Sequence, residues 1–422
     1  MKVGVISLGC AKNLVDTEVL LGKLKGGGAR LVSDPRNADV IVINTCGFIE
    51  PAKAEAIETI LEFSEKKKVI VMGCLVQRYR EELQKEIPEV MAYFGTESWN
   101  EVLKFLGLES AERSERVLTT PSSYAYLKIA EGCNRLCSFC AIPLIRGKHR
   151  SKPMEEVLRE ARYLAEREVK ELCVVSQDTT YYGRDIYGKG ALVKLLQELE
   201  KIEGIRWIRL LYLYPTEVEE ELISLMADSE KLLPYFDMPL QHISSEVLRS
   251  MRRGYDESFV RGLVEKIRKK LPQAVLRTTF IVGYPTETEE DFRRLLEFVS
   301  EGHFHWLGVF TYSQEEGTHA FPLGDPWSAE EKERRKTELL SLQESITRKK
   351  NEEFVGRELE LIIDGFDDEF GYIPVGRIYA QAPEVDGITY LETEGELKTG
   401  DMIRVKITQV GGYDLGAVEC KD

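Results

Sequence analysis

The sequence predicts an α/β multidomain chain: a small parallel α/β domain, a partial (β/α)6 barrel, and a C-terminal all-β barrel. Two stretches in which β-branched apolar runs alternate with helical periodicity predict the first two. Short alternating runs punctuated by Gly and Asp after residue 352 predict the third. At 422 residues the chain is too long for one ordinary core, which fits two to three domains.

In the first domain, over 1–108, residues 3–8, 40–44 and 69–72 read as strands. Residues 13–24, 51–64 and 77–86 read as helices, the second opened by Pro51, a residue suited to a helix start. A polar segment at 109–122 reads as a linker. In the second domain, 123–330, strands are expected at 126–130, 171–176, 207–212, 236–238, 276–282 and 306–312. Helices are expected at 154–167, 192–200, 217–228, 246–251, 257–270 and 287–301. Six strands with right-handed crossovers make an incomplete barrel, and such barrels carry their sites at the C-terminal strand ends. Residues 328–354 read as one charge-rich helix, with 331–351 connecting to the third domain, 352–422. There 358–363, 376–379, 388–391 and 402–409 read as strands.

Hydrophobic residues make up 43% and charged residues 31%, a soluble globular balance, and no apolar run reaches transmembrane length. The opening Met-Lys-Val-Gly-Val-Ile-Ser-Leu is broken too soon for a signal peptide and reads as a first strand. A cytoplasmic protein is expected, in which eight cysteines serve as metal ligands rather than disulfides. The net charge of −15 disfavours gripping a nucleic-acid backbone as the main task.

The cysteines carry the chemistry. Cys133, Cys137 and Cys140 stand in a C-x3-C-x2-C spacing. Three thiolates can hold three irons of a four-iron cluster and leave the fourth open to a reactant. The alternative is structural zinc, which needs four closed ligands and would have to recruit His149 beyond a loop containing Pro143 and Gly147. A second set, Cys10, Cys46 and Cys74, follows three successive strands of the first domain. Parallel strands end at one edge, where ligands collect, so these thiols are expected to converge as a second three-ligand site. Gly9, Gly47 and Gly73 beside them let backbone approach a bulky cofactor; the plain alternative is three small buried residues. Cys173 reads as core and Cys420 as incidental.

At the barrel's strand ends stand Gln177 and Asp178, Gln241 and His242, and Gly283 before Tyr284-Pro285. His242 reads equally well as a polar residue lining the mouth. Arg277 is suited either to a carboxylate of a cofactor or to a structural acid. Residues 352–422 hold seventeen acids and six bases, a net −11 out of the chain's −15. Such a barrel repels phosphate and attracts a basic partner.

The C-x3-C-x2-C spacing, with Phe139 before the last Cys, resembles the signature of the radical S-adenosylmethionine (SAM) enzymes. The whole layout resembles the methylthiotransferases, whose C-terminal barrel is called a TRAM domain. Ser7-Leu-Gly-Cys-Ala-Lys-Asn-Leu-Val-Asp-Thr-Glu18 is similar to the RimO branch, which modifies ribosomal protein. The tRNA-modifying, MiaB-like branch more often has Gln-Met-Asn where this chain has Ala11-Lys12-Asn13. Pro239-Leu-Gln-His, Met251-Arg-Arg and Gly317-Thr-His-Ala320 also match family patterns.

The resemblance implies two [4Fe–4S] clusters and SAM, with SAM bound at the open iron of the Cys133, Cys137 and Cys140 cluster. It implies cleavage of SAM to a 5′-deoxyadenosyl radical that takes hydrogen from the unactivated β-carbon of an aspartate in protein twelve of the small ribosomal subunit. The auxiliary cluster, on Cys10, Cys46 and Cys74, then presents sulfur at its open iron, where a second SAM methylates it. Phe139, Gln177, Asp178, Gln241, His242, Arg277 and Gly283 are the expected cofactor-binding residues. The expected partners are a basic small-subunit ribosomal protein, an electron donor such as flavodoxin or ferredoxin, and a sulfur donor. Neither a membrane nor tRNA is expected. The alternatives are a MiaB-like tRNA-adenosine methylthiotransferase and, in a different class, a non-catalytic metal-binding scaffold.

Overall fold

The computed structural model describes residues 1–109, 115–367 and 372–420. The first unit runs β1 (Lys2–Ser7), α1 (Ala11–Gly26), β2 (Arg30–Leu31), β3 (Val40–Thr45), α2 (Glu50–Ser64), β4 (Lys68–Gly73), α3 (Cys74–Glu86), β5 (Ala92–Phe94) and α4 (Trp99–Phe105). Its strands form one parallel sheet in the order β2-β1-β3-β4-β5. β3 and β4 lie centrally and are buried on both faces, which is why their sequences, Val-Ile-Val-Ile and Val-Ile-Val-Met, do not alternate. β2, β5 and α4 are additions to the expected elements. Two edge strands of two and three residues leave almost no periodic signal.

The second unit runs β6 (Tyr124–Lys128), β7 (Ala130–Glu131), α5 (Ile142–Arg146), β8 (Arg150–Ser151), α6 (Met154–Glu166), β9 (Glu171–Val175), α7 (Ala191–Glu200), β10 (Trp207–Leu210), α8 (Glu220–Asp228), β11 (Tyr235–Asp237), α9 (Ser245–Ser250), α10 (Glu257–Lys270), β12 (Val275–Val282), α11 (Glu289–Ser300) and β13 (Trp306–Thr311). β6, β9 and β10 pair in parallel, and so do β11, β12 and β13. An Ile208–Leu232 bridge lies between the two half-sheets. The six strands thus follow one another in sequence order around an open barrel whose wall of helices buries a continuous apolar core.

α12 (Ala329–Glu352) leads to β14 (Glu358–Asp367), β15 (Ile373–Ile378), β16 (Thr389–Glu392), β17 (Met402–Gly411) and β18 (Asp414–Glu419), a closed barrel in the order β14-β15-β16-β18-β17. Sequence reasoning missed β18 because Gly416 interrupts its apolar run. Among the described residues no helix is long and apolar enough to cross a membrane.

Residues 110–114 of the expected linker lie outside the described residues. The following residues do not dangle: Arg116 is buried against Glu18 (3.0 Å) and Glu160 (2.6 Å), and Thr119 N donates to Glu18 Oε1 (2.6 Å). A Cβ on Gly22 would stand 2.1 Å from Glu115 O, so only glycine lets this strap cross α1. On the far side, buried Glu315 receives Arg78 (2.7 Å) and Lys53 (3.2 Å), clamping the first unit to the segment after β13.

The C-terminal barrel is not an appended module. Its core is continuous with the side chains at the first positions of the central strands, among them Tyr124, Trp207, Tyr235 and Trp306. Trp306 Nε1 donates to Ala380 O (2.7 Å), Tyr235 OH to Asp386 Oδ2 (2.6 Å) and Tyr126 OH to Glu384 Oε2 (2.7 Å). The loop between β15 and β16 therefore closes the end of the open barrel opposite the cysteine mouth.

Candidate functional site

Each residue of the N-terminal set stands at the carboxyl edge of the first sheet. Cys10 caps α1, Cys46 follows β3, and Cys74 opens α3 directly after β4. Gly9 and Gly73 adopt φ of 94° and 105°, which an L side chain resists, so the chain turns sharply at each thiol. A Cβ on Gly9 would lie 3.1 Å from Cys46 Sγ, and one on Gly47 would lie 3.0 Å from the carbonyl carbon of Cys74. The three turns are thus pressed together through their glycines, and Asn13 fastens them by donating to Leu8 O (2.6 Å).

The second set lies on the loop between β7 and α5, held by its backbone. Cys133 N donates to Gly147 O (3.1 Å) and Cys140 N to Cys137 O (3.1 Å). Ser138 ties the loop to Ser250 O (2.8 Å) and Tyr284 OH (2.8 Å), and Phe139 packs among Val247, Met251, Tyr284 and Tyr312. His149 does not join the thiols. Its Nε2 meets Ser151 Oγ (3.0 Å) and its ring stands edge-on to Tyr181. The zinc alternative needs ligands closed on one ion. Among the described residues no three or more His, Cys, Asp or Glu side chains are grouped closely enough to hold a metal ion, the thiols of either cysteine set included.

The two sets meet. Cys74 is buried in one small apolar cluster with Ala141 and Ile145, immediately after Cys140. Arg146, the last residue of α5, donates to Cys74 Sγ (3.2 Å), to Asn13 Oδ1 (3.1 Å), to Asp16 Oδ2 (2.6 Å) and to Glu131 Oε2 (3.0 Å). Lys128 pairs with the same two acids, with 2.8 Å to Glu131 Oε2. Burial opposes the Glu131 carboxylate, but Lys128 and Arg146 hold it ionised, with its pKa lowered to about 2.

Burial pushes the Cys133 thiol up to about 11 and the Cys74 thiol up to about 12, and it raises Cys46 and Cys140 as well. Such thiols stay protonated alone but are deprotonated outright by a coordinating metal. Cationic and amide donors already face the sulfurs: Arg253 Nη1 reaches Cys137 Sγ (3.1 Å) and Arg135 N reaches Cys133 Sγ (3.3 Å). Soft sulfur donors in a glycine cradle fit iron–sulfur groups.

The other expected site residues separate into two groups. Gln177 donates to Glu131 Oε1 (2.6 Å), and its own Oε1 is buried without a partner, an acceptor turned to the mouth. Gln241 holds a left-handed φ of 72° at the edge of the strands and pairs with Phe280. Asp178 is buried against Arg135 Nε (2.7 Å), so it acts on the cysteine loop through that residue. The remaining three face away from the thiols. His242 is fully buried, accepts from Ser244 N (3.0 Å) and stands 3.8 Å from Glu287, which also pairs with Arg335 of α12. Gly283 faces α12, where a Cβ would meet Lys332 Cγ at 2.3 Å. Arg277 takes the structural-acid alternative, between Asp237 (3.1 Å) and Asp386 of the last barrel (3.3 Å). Sequence reasoning missed Lys128, Glu131, Arg135, Arg146 and Arg253. The charges at 128 and 131, beside otherwise apolar residues, were a usable signal, and Arg253 stands in the Met251-Arg-Arg stretch that matches the family pattern.

The chain matches three family models: an uncharacterized protein family (UPF0004) over residues 2–95, the radical SAM superfamily over 127–299 and the TRAM domain over 355–418. It is 68% identical over 416 residues to the ribosomal protein uS12 methylthiotransferase RimO of Aquifex aeolicus (strain VF5), covering 98% of this chain and 96% of that one. It is 51% identical over 422 residues to the same enzyme of Sulfurihydrogenibium sp. (strain YO3AOP1), covering 98% of each. Among solved structures, the radical SAM methyltransferase TsrM of Kitasatospora setae, with cobalamin and a [4Fe-4S] cluster bound, matches with a TM-score of 0.54 at 16% identity. The match covers 76% of this chain and 77% of TsrM, a likeness of fold alone.

Proposed function

This chain belongs to the family of ribosomal protein uS12 methylthiotransferases, and on that premise we propose that it adds a methylthio group to the β-carbon of an aspartate in uS12. The family's radical SAM chemistry uses a [4Fe–4S] cluster and SAM. We propose two clusters, one on Cys133, Cys137 and Cys140 and an auxiliary one on Cys10, Cys46 and Cys74. When bound, these groups and SAM would supply the one-electron step that opens an unactivated C–H bond and would present the sulfur that is transferred.

The observation that carries this reading is the contact between the two cysteine sets. Ala141 packs on Cys74, and Arg146 donates to its sulfur from a helix that starts two residues after Cys140. The chain's own residues prepare the site. Arg253 Nη1 donates to Cys137 Sγ and the Arg135 amide donates to Cys133 Sγ, which orients both sulfurs. Ser138 and Phe139 fix the loop, and Asp178 fixes Arg135. Gln177 and Gln241 offer polar contacts to SAM, whereas His242, Arg277 and Gly283 serve the frame. The enzyme works in the cytoplasm, taking an electron from a flavodoxin- or ferredoxin-like donor and sulfur from a separate donor.

The domains follow as 1–108 for the auxiliary site, 109–122 for the strap, 123–330 for the radical SAM barrel, 331–351 for the connecting helix and 352–422 for the TRAM barrel. The acidic character of the last favours a basic protein over tRNA. The test offers anaerobically reconstituted enzyme recombinant uS12 and tRNA in separate reactions, and reads each by mass. The expected result is methylthio addition to uS12 alone. Modification of tRNA with none on uS12 would sink the proposal.

A further inference from the structure

We propose that the Lys12 ammonium binds the side-chain carboxylate of the substrate aspartate, and so sets the choice of an acidic residue; this rests on the reading above. Lys12 lies on the first turn of α1, two residues after Cys10, and is only 7% exposed. Its Nζ stands 3.2 Å from the centre of the Tyr212 ring. Tyr212 follows β10 at the C-terminal edge of the central strands, in the left-handed region at φ 60°. It is pinned there from both sides: Tyr212 N donates to Asp237 Oδ2 (3.0 Å), and Tyr212 O accepts from Thr179 N (3.1 Å). Thr179 adjoins Asp178, which holds Arg135 beside Cys133. Lys12 therefore projects from the N-terminal cysteine turn into the mouth of the central barrel.

The Tyr212 hydroxyl, Cys10 and Asp237 face its ammonium, but no carboxylate pairs with it. Every other buried Lys or Arg among the described residues has a carboxylate partner, except Arg253, which faces Cys137 Sγ. No carboxylate of the described residues comes within 4.0 Å of Lys12, although acids are near. Asp237 is committed to Arg277 and the Tyr212 amide, and Asp16 to Lys128 and Arg146. A buried cation is costly unless paired, and an aromatic face offsets only part of that cost. An ammonium kept in this state at the mouth is preorganised for an anion from outside. The substrate's carboxylate is that anion, and its chemistry gives the contact a purpose. The reacting β-carbon is one bond from the carboxylate carbon, so a carboxylate seated on Nζ fixes the reacting carbon too. Asparagine lacks the charge, and glutamate puts its β-carbon one bond farther away.

The test uses the full-length, anaerobically reconstituted enzyme as wild type, Lys12→Met and Lys12→Arg. Each is offered uS12 with its natural aspartate and with that residue changed to asparagine or glutamate, and binding, KM and kcat are measured beside iron per chain. Wild type is expected to bind the aspartate form about 10- to 100-fold tighter than the asparagine form, the range of a charged hydrogen bond. Lys12→Met should erase that gap at unchanged iron content, and Lys12→Arg should keep part of it. An undiminished gap in Lys12→Met overturns the proposal. So does a loss of iron in that variant, since Lys12 would then serve the cysteines. A wild type that modifies uS12 yet binds both forms alike overturns this inference alone. One that modifies tRNA and not uS12 overturns the family reading together with it.

Discussion

Replacing Arg146 with Met tests whether the seam between the cysteine sets is held by charge. Arg146 is buried and donates to Asp16, Glu131, Asn13 and Cys74 Sγ within 2.6–3.2 Å. The variant leaves Asp16 and Glu131 to share Lys128. Removing one partner of a buried ion network costs about 3–5 kcal/mol. An independent figure comes from Glu131, whose pKa falls from 4.5 to about 2 in the fold. At 1.36 kcal/mol per unit, that corresponds to roughly 3 kcal/mol, shared between Lys128 and Arg146. The sign follows from the depressed carboxylate: its stabilisation is complete above the unfolded value of 4.5 and is lost as pH falls toward 2. The unfolding midpoint of Arg146→Met should therefore lie well below wild type at pH 7, and the gap should narrow as pH falls from about 5 to about 2.5. Adding Glu131→Gln should recover part of the loss, because a neutral pair is easier to bury than a lone charge. Circular dichroism melts across pH, on apoprotein of all three forms, read the result. Equal midpoints for wild type and Arg146→Met at pH 7, or a gap that widens on acidification, would refute the reasoning.

Changing Cys133, Cys137 and Cys140 together to Ala should remove one four-iron cluster from reconstituted protein, and changing Cys10, Cys46 and Cys74 should remove the other; unaltered iron in the second variant would end the two-cluster reading. Arg253→Gln should lower the reduction potential of the cluster at Cys137, because the guanidinium donated to its sulfur is lost, and potentiometric electron paramagnetic resonance checks the direction. Truncation at residue 352 should leave an aggregating protein rather than an active core, since Tyr235, Trp207 and Trp306 would lose their cover; a soluble, monomeric fragment would contradict the shared core. Glu392→Gln with Glu396→Gln should weaken uS12 binding by a few-fold at low salt, each exposed charge being worth about 1 kcal/mol or less, and the difference should vanish at high salt.

Much of the frame was legible because long elements carry strong periodicity. The helix expected at 257–270 is α10, and the six central strands fall within two residues of their expected starts. The placement of the six cysteines, three on one loop and three at successive strand ends, was legible because spacing and strand position are local properties. What was hidden depends on chain segments far apart in sequence. Arg277 meets Asp386, 109 residues later, and nothing at either position discloses the other. Arg146 reaches Cys74 across a domain seam, and His242 turns into α12 through Glu287. Strand-end position alone could not tell a residue facing the mouth from one facing the helical wall, because the alternation of side chains decides that.

The closed lower end changes what the acidity of the last barrel means. A six-stranded barrel leaves a gap, and here the inserted loop fills it with matched charges. Arg209 and Arg377 share Glu171 at 2.6 Å each, Arg377 also holds Asp364, and Arg277 holds Asp386. Arg206 and Arg404 cover Glu360 and Glu358 at the surface. Arg377 and Arg404 are already counted in the net −11 of residues 352–422, but Asp386 and Glu360 are met by Arg277 and Arg206 from outside it, so that figure overstates the field seen by a partner by two charges. Glu392 and Glu396 are exposed around the end of β16 and remain to act outward. A basic partner docked at this edge, as proposed, would be oriented by it as well as attracted. The same loop binds orientation to chemistry, since the barrel carrying that edge shares its core with the strands whose other ends present Gln177, Tyr212 and the cysteine mouth.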